Sequence, residues 1–373
     1  MDKRVVFVGL DVDSKAIHGS VFDPGTGEIS EFSSRPTKAA LVAKLKTFRS
    51  KQTTLRLCYE ASYFGFSLQR ELKAAGFDCS VISPNHIPIK YGAKVKTDRL
   101  DATKLATYFA KGLLTEVYLP SVEEEANRDL LRARRFVKEQ SSSLKRYIIS
   151  VCKRAGLDFR KETESPSAHY WSARHRQWLM GAVGKLQAQV WVMTLKNLLA
   201  SLDHFENQIR CFDEQIEELA KTKRYEKGHQ ALICYRGIDT LVAMTLMTEL
   251  CSAKRFSHPN KITSFAGMDI KEYSSGGKEN KLGLTKMGNP HIRRAIIESC
   301  QYAWSVPKLS KPLQRRRVGT PPELIEISTR CMQRLYKKSN RLLHRGKNKN
   351  KVKVACARET LGFVWESLNA VGF

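Results

Sequence analysis

Short apolar runs, separated by turns and by amphipathic stretches, occupy the first 115 residues of the chain. The first three runs are joined by short polar turns and predict an antiparallel meander, and the later runs alternate with stretches of helical spacing. The predicted strands cover 5–10, 17–22, 29–32, 55–59 and 79–82, and the predicted helices cover 36–48, 62–75 and 98–111. The chain order βββαβαβα predicts an α/β domain on a mixed sheet, and this order fits a ribonuclease-H-like core.

Between about residues 122 and 222, apolar residues recur mostly at helical spacing. The pattern runs from Leu130 to Val151, breaks in the polar stretch 161–167, and resumes from Trp171 to Ile209. Such spacing predicts long helices in a coiled-coil-like hairpin. A spacer or a dimerisation arm is a better interpretation than a catalytic element, because a helical scaffold by itself implies no site.

The remainder of the chain predicts a mostly α-helical, basic unit. Two helical stretches, 231–234 and 240–251, flank the segment 235–239, which resembles the loop of a helix-hairpin-helix, whose amides hold a DNA phosphate. Asp239 stands where the second glycine of that loop is expected. The patterns together predict three parts: a ribonuclease-H-like domain over 1–118, a helical linker over 119–227 and a basic C-terminal domain over 228–373.

The balance of charges narrows the class of partner. The 373 residues contain 64 Lys and Arg against 37 Asp and Glu, so the formal net charge is +27. A positive field of this size is typical of proteins that bind nucleic acid, with an acidic membrane surface as the alternative. The chain contains no apolar run of about 18 residues, so we expect no transmembrane helix.

The cysteines and the N-terminal residues indicate the compartment. Nine cysteines are scattered along the chain without a CxxC pair, which argues against a structural zinc site. The first apolar run is too short for a secretory signal peptide and leads directly into charged residues. We therefore expect a cytoplasmic protein with reduced cysteines.

The densest positive charge lies between residues 330 and 353, where ten Lys and Arg residues occur without a single acid. A solvated helix face is the usual explanation of such a run. Here Tyr336, Trp365 and a predicted amphipathic helix accompany the unopposed cations, which favours contact with nucleic acid. The expected contacts in this stretch are Arg341, Arg345, Lys347, Lys349, Lys351 and Lys353.

Four acids stand at strand ends and at the start of a helix in this basic chain. They are Asp11, Glu60, Asp98 and Asp101. In a ribonuclease-H-like topology these positions meet at one edge of the sheet, so we expect the four carboxylates to converge around a cation that relieves their repulsion. Carboxylate oxygens favour Mg²⁺, and two such ions can activate a nucleophile and stabilise a leaving oxygen at a phosphodiester.

Taken singly, these acids have simpler explanations. Asp98 could cap the helix that follows it, Asp101 could complement the helix dipole, and Asp11 could be a solubilising turn residue. Glu60 is the hardest to explain in this way, because glutamate is a poor strand residue. The ordered set of four is therefore more specific than any of its members.

A serine followed by two glycines marks a second candidate site. The sequence Tyr273-Ser274-Ser275-Gly276-Gly277 reads by itself as a flexible turn. Five cations lie close to it in sequence, and a serine hydroxyl held among cations could attack a phosphodiester. These cations are Lys278, Lys281, Lys286, Arg293 and Arg294. No Ser-His-Asp arrangement is evident, which makes a hydrolase of esters or peptides a weaker interpretation.

Six short motifs occur in one order and together resemble the transposases of insertion sequence family one-ten. They are Gly9–Val12, Glu60-Ala61, Lys96–Ala102, Phe265–Gly267, Ser275-Gly276 and Lys286–Asn289. The resemblance covers essentially the whole chain. It implies an N-terminal resolvase-like domain with a DEDD metal site, a helical linker, and a C-terminal transposase domain whose serine forms a covalent serine–DNA intermediate.

The resemblance carries over residue by residue. Asp11, Glu60, Asp98 and Asp101 match the four acids, and Ser275, with Ser274 as its immediate neighbour, matches the serine. The C-terminal part offers no obvious base for this serine. We therefore expect the acids to act with Ser275, either through folding back of the linker or through a second protomer.

The resemblance also implies partners. A structured noncoding guide RNA encoded by the element would pair with double-stranded target and donor DNA, and Mg²⁺ would be the cofactor. We therefore expect an RNA-guided DNA recombinase of a bacterial or archaeal mobile element, associated with the nucleoid as a homodimer or homotetramer and not with a membrane. Two alternatives remain: a metal-dependent nuclease of the Holliday-junction type, with Ser275 only a loop residue, and a non-enzymatic nucleic-acid-binding protein.

Overall fold

Five strands form one mixed sheet in the N-terminal part of the computed structural model, which describes residues 4–62, 64–84, 87–88, 98–272 and 281–373. The strands are β1 Arg4–Val12, β2 Ile17–Phe22, β3 Ile29–Ser34, β4 Thr53–Glu60 and β5 Asp78–Ile82. Their order across the sheet is β3-β2-β1-β4-β5. β1, β2 and β3 pair antiparallel, whereas β1, β4 and β5 pair parallel. The prediction of a mixed sheet is confirmed.

Helices cover both faces of this sheet. They are α1 Lys38–Phe48, α2 Ser67–Ala74 and α3 Asp98–Ala110. Val8 and Leu10 of β1 share one core with Leu41 of α1 and Leu72 of α2. On the opposite face, Cys58 and Ile82 share a second core with residues of α3. Because both faces are covered, the strands read as nearly continuous apolar runs rather than as strict alternations.

The second helix starts later than its apolar pattern predicts. The prediction began this helix at Ser62, whereas α2 begins at Ser67. Gly65 has a φ of 61°, which a right-handed helix cannot accommodate. The Tyr59 hydroxyl donates a hydrogen bond to the Gly65 carbonyl at 3.0 Å. The turn that precedes α2 is therefore held by a residue at the end of β4.

The chain divides into two compact units, Met1–Ser121 and Val122–Phe373. Two long helices begin the second unit, α4 Val122–Arg154 and α7 Gln189–Ala220, and the short helices α5 Phe159–Glu162 and α6 Ala173–Lys185 connect them. Ion pairs of Arg134 with Asp213 and of Lys145 with Glu206 join α4 to α7 in antiparallel order. Long helices are thus present as expected, while the division of the chain into three domains stays a prediction.

The rest of the second unit is mostly helical. Its elements are α8 Glu226–Ile233, α9 Thr240–Leu250, α10 Pro259–Phe265, β6 Ile270–Glu272, β7 Lys281–Leu284, α11 Pro290–Ser299, α12 Lys311–Arg317, α13 Pro322–His344 and α14 Lys349–Ala370. Asp239, which departs from the hairpin-loop pattern, caps α9 by accepting a hydrogen bond from the Val242 amide at 2.9 Å. Among the described residues, every helix is too short or too polar to cross a bilayer.

Candidate active site

Two of the four predicted acids lie at the C-terminal ends of neighbouring parallel strands. The pairing of β1 with β4 aligns Leu10 with Tyr59, so Asp11 and Glu60 follow at the same edge of the sheet. Glu60 is exposed and Asp11 is half-buried. The carboxyl ends of parallel strands are where α/β folds place functional groups, since loops and helices leave the sheet there.

Helix α3 runs antiparallel to these strands along one face of the sheet. Near its C-terminus, Phe109 meets Phe7 of β1 edge to face, with 5.6 Å between ring centroids. One turn earlier, the Leu105 carbonyl accepts a hydrogen bond from the Cys58 thiol of β4 at 3.8 Å. The first turn of α3, which contains Asp101, therefore lies towards the carboxyl ends of β1 and β4.

A glycine allows this helix to approach the sheet closely. A Cβ at Gly9 would lie 2.5 Å from the backbone nitrogen of Ala106 and 2.8 Å from the Cβ of Leu105. Because side chains alternate along a strand, Asp11 lies on the same face as Gly9 and Phe7. By the same alternation Glu60 lies on the face of Cys58. The fold thus brings Asp11, Glu60 and the helix turn of Asp101 to one face and one edge.

These acids do not form a compact metal cluster among the residues that the structure describes. Within that part of the chain, no three His, Cys, Asp or Glu side chains lie close enough together to hold a metal ion. Asp98 is the first residue of α3, but its side chain lies outside the described part. The donor set still suits Mg²⁺ in its chemistry, since it consists of carboxylate oxygens. The four-acid metal site remains a prediction.

The predicted serine site lies, in the sequence, between two strands that pair as a small hairpin, β6 and β7. Residues 273–280, which include Ser274, Ser275 and Lys278, lie outside the described residues, and so does the side chain of Lys281. The base of the hairpin is described. The amide of Thr285 donates to the Asp269 carbonyl at 2.8 Å, and the amide of Lys286 donates to the Gly267 carbonyl at 3.0 Å.

Two glycines bring the chain on either side of this hairpin into direct contact. Gly267 has a φ of 65° and Gly288 a φ of 155°. A Cβ at Gly288 would lie 2.5 Å from the nitrogen of Gly267, so a larger residue would separate the two segments. The resemblance motifs that contain Gly267 and Gly288 thus form a single structural element, the hairpin base (residues 265–270 and 284–289).

Three cations predicted to contact nucleic acid lie near the hairpin base. Lys286 is exposed, with a φ of 56°. Arg293 donates from Nη1 to the Ala266 carbonyl at 2.9 Å, and desolvation lowers its pKa. Arg294 pairs at 2.7 Å with Glu298 and at 2.7 Å with Glu139, and the hydrogen bond with Glu298 is the main reason that its pKa is raised. Arg293 therefore has a packing role that its sequence context does not reveal.

The basic stretch 330–353 is partly neutralised by α14. Arg334 and Lys338 both pair with Glu359, at 3.1 and 2.8 Å, and Arg330 pairs with Glu366. Burial alone would raise the pKa of Glu359, but the hydrogen bonds from Lys338 and Arg334 hold it below its usual value. The expectation that all ten cations are unopposed is wrong, because acids distant in sequence lie on the neighbouring helix.

The cations predicted to contact nucleic acid lie around the turn between α13 and α14, beyond these ion pairs. Arg341, Arg345, Lys347, Lys349 and Lys351 are exposed. Lys353 is half-buried and donates to the Gln301 side chain at 2.8 Å. Lys349 lies 5.9 Å from the ring of Trp304, which adds an aromatic surface to this basic turn. These residues remain predicted contacts.

One buried acid in the second unit was missed by sequence reasoning. Glu249 lies in the apolar helix α9, and its side chain is 1% exposed. Desolvation acts to raise its pKa, but hydrogen bonds with Arg132 and Asn289 hold it below the usual value. A single carboxylate in the sequence TLVAMTLMTEL was the available signal, since buried carboxylates are rare unless they are paired.

Comparison with known proteins gives matches in both units. A family model described as a transposase, DEDD_Tnp_IS110, matches residues 8–156. A second, described as the Transposase IS116/IS110/IS902 family, matches residues 229–315. The chain is 29% identical over 371 residues to y4qE of Sinorhizobium fredii, which is named as a transposase, covering 98% of this chain and 88% of that protein. It is 25% identical over 343 residues to the transposase for insertion sequence element IS1533 of Leptospira borgpetersenii, covering 91% and 97% of the two chains.

Proposed function

This chain belongs to the IS110 family of insertion sequence transposases, and we propose that it exchanges DNA strands through a serine–DNA intermediate. Members of such a family act on DNA by cleavage and recombination. The observation that best supports the finer proposal is the acidic edge, where Asp11 and Glu60 lie at the C-terminal ends of adjacent parallel strands and α3 returns with Asp101. A non-enzymatic DNA-binding protein of this charge would have no need for acids on that edge.

Mg²⁺ is the proposed cofactor of the acidic edge. Asp11, Glu60, Asp98 and Asp101 would hold it. When bound, the ion would offset the mutual repulsion of these carboxylates and stabilise negative charge at a phosphodiester. The contribution of the chain itself is to keep the carboxylates on one face, which the packing of α3 on Gly9 supports.

Ser275 is the proposed nucleophile. Its Oγ would form a bond to phosphorus while one DNA oxygen leaves with the electron pair of the broken P–O bond, and the serine proton passes to a base or solvent. Attack of another DNA hydroxyl on the serine-bound phosphate would then form a new DNA phosphodiester, while the serine oxygen leaves with the electron pair of its P–O bond and takes up a proton. No water enters, so the energy of the phosphodiester is retained. The firmly held hairpin base supports this role, because a reactive group requires rigid anchors.

The proposed targeting is by a structured noncoding guide RNA that pairs with target and donor DNA. The exposed basic turn between α13 and α14 supports contact with nucleic-acid backbones, since phosphate contacts position a protein without reading sequence. The α4–α7 hairpin would be the dimerisation arm that joins protomers in a homodimer or homotetramer. The reaction would take place in the bacterial or archaeal cytoplasm, at the chromosome.

Covalent capture of DNA tests the proposed chemistry. On nicked suicide substrates with Mg²⁺, wild-type protein should form an adduct that survives denaturation. Ser275→Ala should abolish the adduct, whereas the neighbouring change Ser274→Ala should not. Cleavage without any adduct would instead support a Holliday-junction-type nuclease. Sequencing the RNA that copurifies from cells tests the guide, and recovery of only random cellular RNA would contradict it.

A further inference from the structure

A buried carboxylate connects the long helix α4 to the hairpin base. Glu249 accepts hydrogen bonds from Arg132 of α4 on both oxygens, from Nε at 2.8 Å and from Nη2 at 2.9 Å. Its Oε2 also accepts from Nδ2 of Asn289 at 2.7 Å. A charge buried to this degree is tolerated only when it is fully paired, and these three bonds supply the pairing.

Asn289 forms hydrogen bonds within the protein through its side-chain oxygen, its side-chain nitrogen and its backbone amide. Its Oδ1 accepts from the amides of His291 at 2.9 Å and Ile292 at 3.1 Å, which caps α11. Its own amide donates to the Phe265 carbonyl at 2.7 Å. Because Oδ1 faces two N–H donors, Nδ2 must face the carboxylate of Glu249. The orientation of this side chain is therefore determined by Glu249 on one side and α11 on the other.

Asn289 is also part of the hairpin base. It follows Gly288, whose contact with Gly267 closes the base, and its bond to Phe265 joins the two segments that lead to and from the hairpin. Loss of the Glu249 contact would free the Asn289 amide and allow the base to shift. Small displacements of a reacting group are costly, since about 1 Å of misplacement can reduce a rate about 100-fold.

We propose that Glu249 is a positioning residue for strand exchange: through Asn289 it holds the hairpin base, and through Arg132 it anchors that base to α4. This inference rests on the proposed role of the hairpin serine. Glu249 itself is enclosed by protein and acts on the reaction only through the groups that it holds.

A reciprocal exchange of amide and carboxylate tests the pairing. In Glu249→Gln one of the two oxygens becomes an NH2 group, which in either orientation faces an N–H donor, Arg132 alone or Arg132 together with Asn289, and the ion pair with Arg132 is lost. In Asn289→Asp the cap of α11 is kept, because Asp and Asn cap equally well, but two carboxylates face each other. The double variant E249Q/N289D places the amide of the new Gln opposite an Asp oxygen, so one donor again faces one acceptor, and it keeps the wild-type net charge of the pair.

We expect each single variant to slow covalent capture of DNA by about 10- to 100-fold, the effect of losing a hydrogen bond to a charged group. DNA affinity at fixed salt should not change. The double variant should recover most of the capture rate. Glu206→Gln is the matched control, because it removes a paired carboxylate between α7 and the helices α4 and α6, and it should capture DNA at the wild-type rate.

Hydrogen exchange separates this inference from the proposed serine chemistry. The amides of Thr285, Lys286 and Asn289 donate across the hairpin base, and they should exchange faster in both single variants and slow again in the double variant. Unchanged exchange and capture in the singles, or a double variant no better than either single, would overturn the positioning role. Adduct formation by Ser275→Ala would overturn the serine chemistry alone, and the exchange measurement would still decide on Glu249.

Discussion

The close packing of α3 on β1 predicts that Gly9→Ala damages the N-terminal unit and the acidic edge together. The added Cβ would lie 2.5 Å from the Ala106 nitrogen, whereas ordinary contacts begin at 3.4 Å, so these atoms must separate by 3.4 − 2.5 = 0.9 Å. The Ala102 carbonyl oxygen would be closer still, so 0.9 Å is the least separation required. Because these are backbone atoms of α3, no change of rotamer can relieve the overlap, and the helix must move.

The expected loss of stability follows from this movement. Overpacking a close contact costs about 1–3 kcal/mol, and we expect about 3 kcal/mol because a whole helix must shift. For a unit of 121 residues, this lowers the melting temperature by about 10 °C. Displacement of α3 would also move Asp101 away from the strand ends, and we expect strand exchange to fall about 100-fold.

Calorimetry and a strand-exchange assay measure the two effects. The control is Gly181→Ala, because the new Cβ in α6 would have no atom within 4 Å beyond its chain neighbours and the backbone of its own helix. Alanine is a better helix residue than glycine, so this control should gain about 0.5–1 kcal/mol. A Gly9→Ala protein with the melting temperature and activity of the wild type would show that α3 does not depend on close contact with β1.

Three further predictions concern the acids of the edge, the basic turn and a buried histidine. Asp11→Asn and Asp101→Asn should abolish recombination while the circular dichroism spectrum is unchanged, and wild-type activity that survives EDTA would exclude the metal site. Alanine at four lysines of the α13–α14 turn should make the slope of log binding constant against log salt concentration, measured on duplex DNA, less steep by up to about 3.6. These lysines are Lys347, Lys349, Lys351 and Lys353. Removal of the paired cations 330, 334 and 338 should change this slope less. Burial, with a smaller effect of Arg176, lowers the pKa of His175 to about 4. The pKa of histidine in the unfolded chain is about 6.5, so the neutral imidazole contributes its full stabilisation of the folded state above that pH, and this contribution is lost as the pH falls towards 4. Melting temperatures measured against pH should show this loss in the wild type and not in His175→Gln.

Local sequence patterns predicted most of the N-terminal fold. Apolar runs and turns located all five strands, because a strand buried on both faces needs apolar residues at nearly every position. The same patterns missed the delayed start of α2, since the positive φ of Gly65 is stabilised by Tyr59 of β4. A contact between two separate elements therefore decided a boundary that local spacing could not.

The chemical identity of the candidate groups was determined by the sequence alone. Acids at strand ends, a serine before two glycines, and an excess of cations are visible without a fold, because residue type and position along an element need no partner. The sequence could also indicate the edge at which Asp11 and Glu60 meet, since the order of strands follows from their connections.

The tertiary structure decided which charges remain available to a partner. Arg330, Arg334 and Lys338 are neutralised by acids about 20 to 36 residues away in sequence, and Arg293 is bound to the backbone of the hairpin base. The tertiary structure also brings Glu249 into contact with Arg132 and Asn289, which are 117 and 40 residues away in the sequence. Pairing energy depends on the distance between charges in space and on their burial, and neither quantity is encoded in local periodicity.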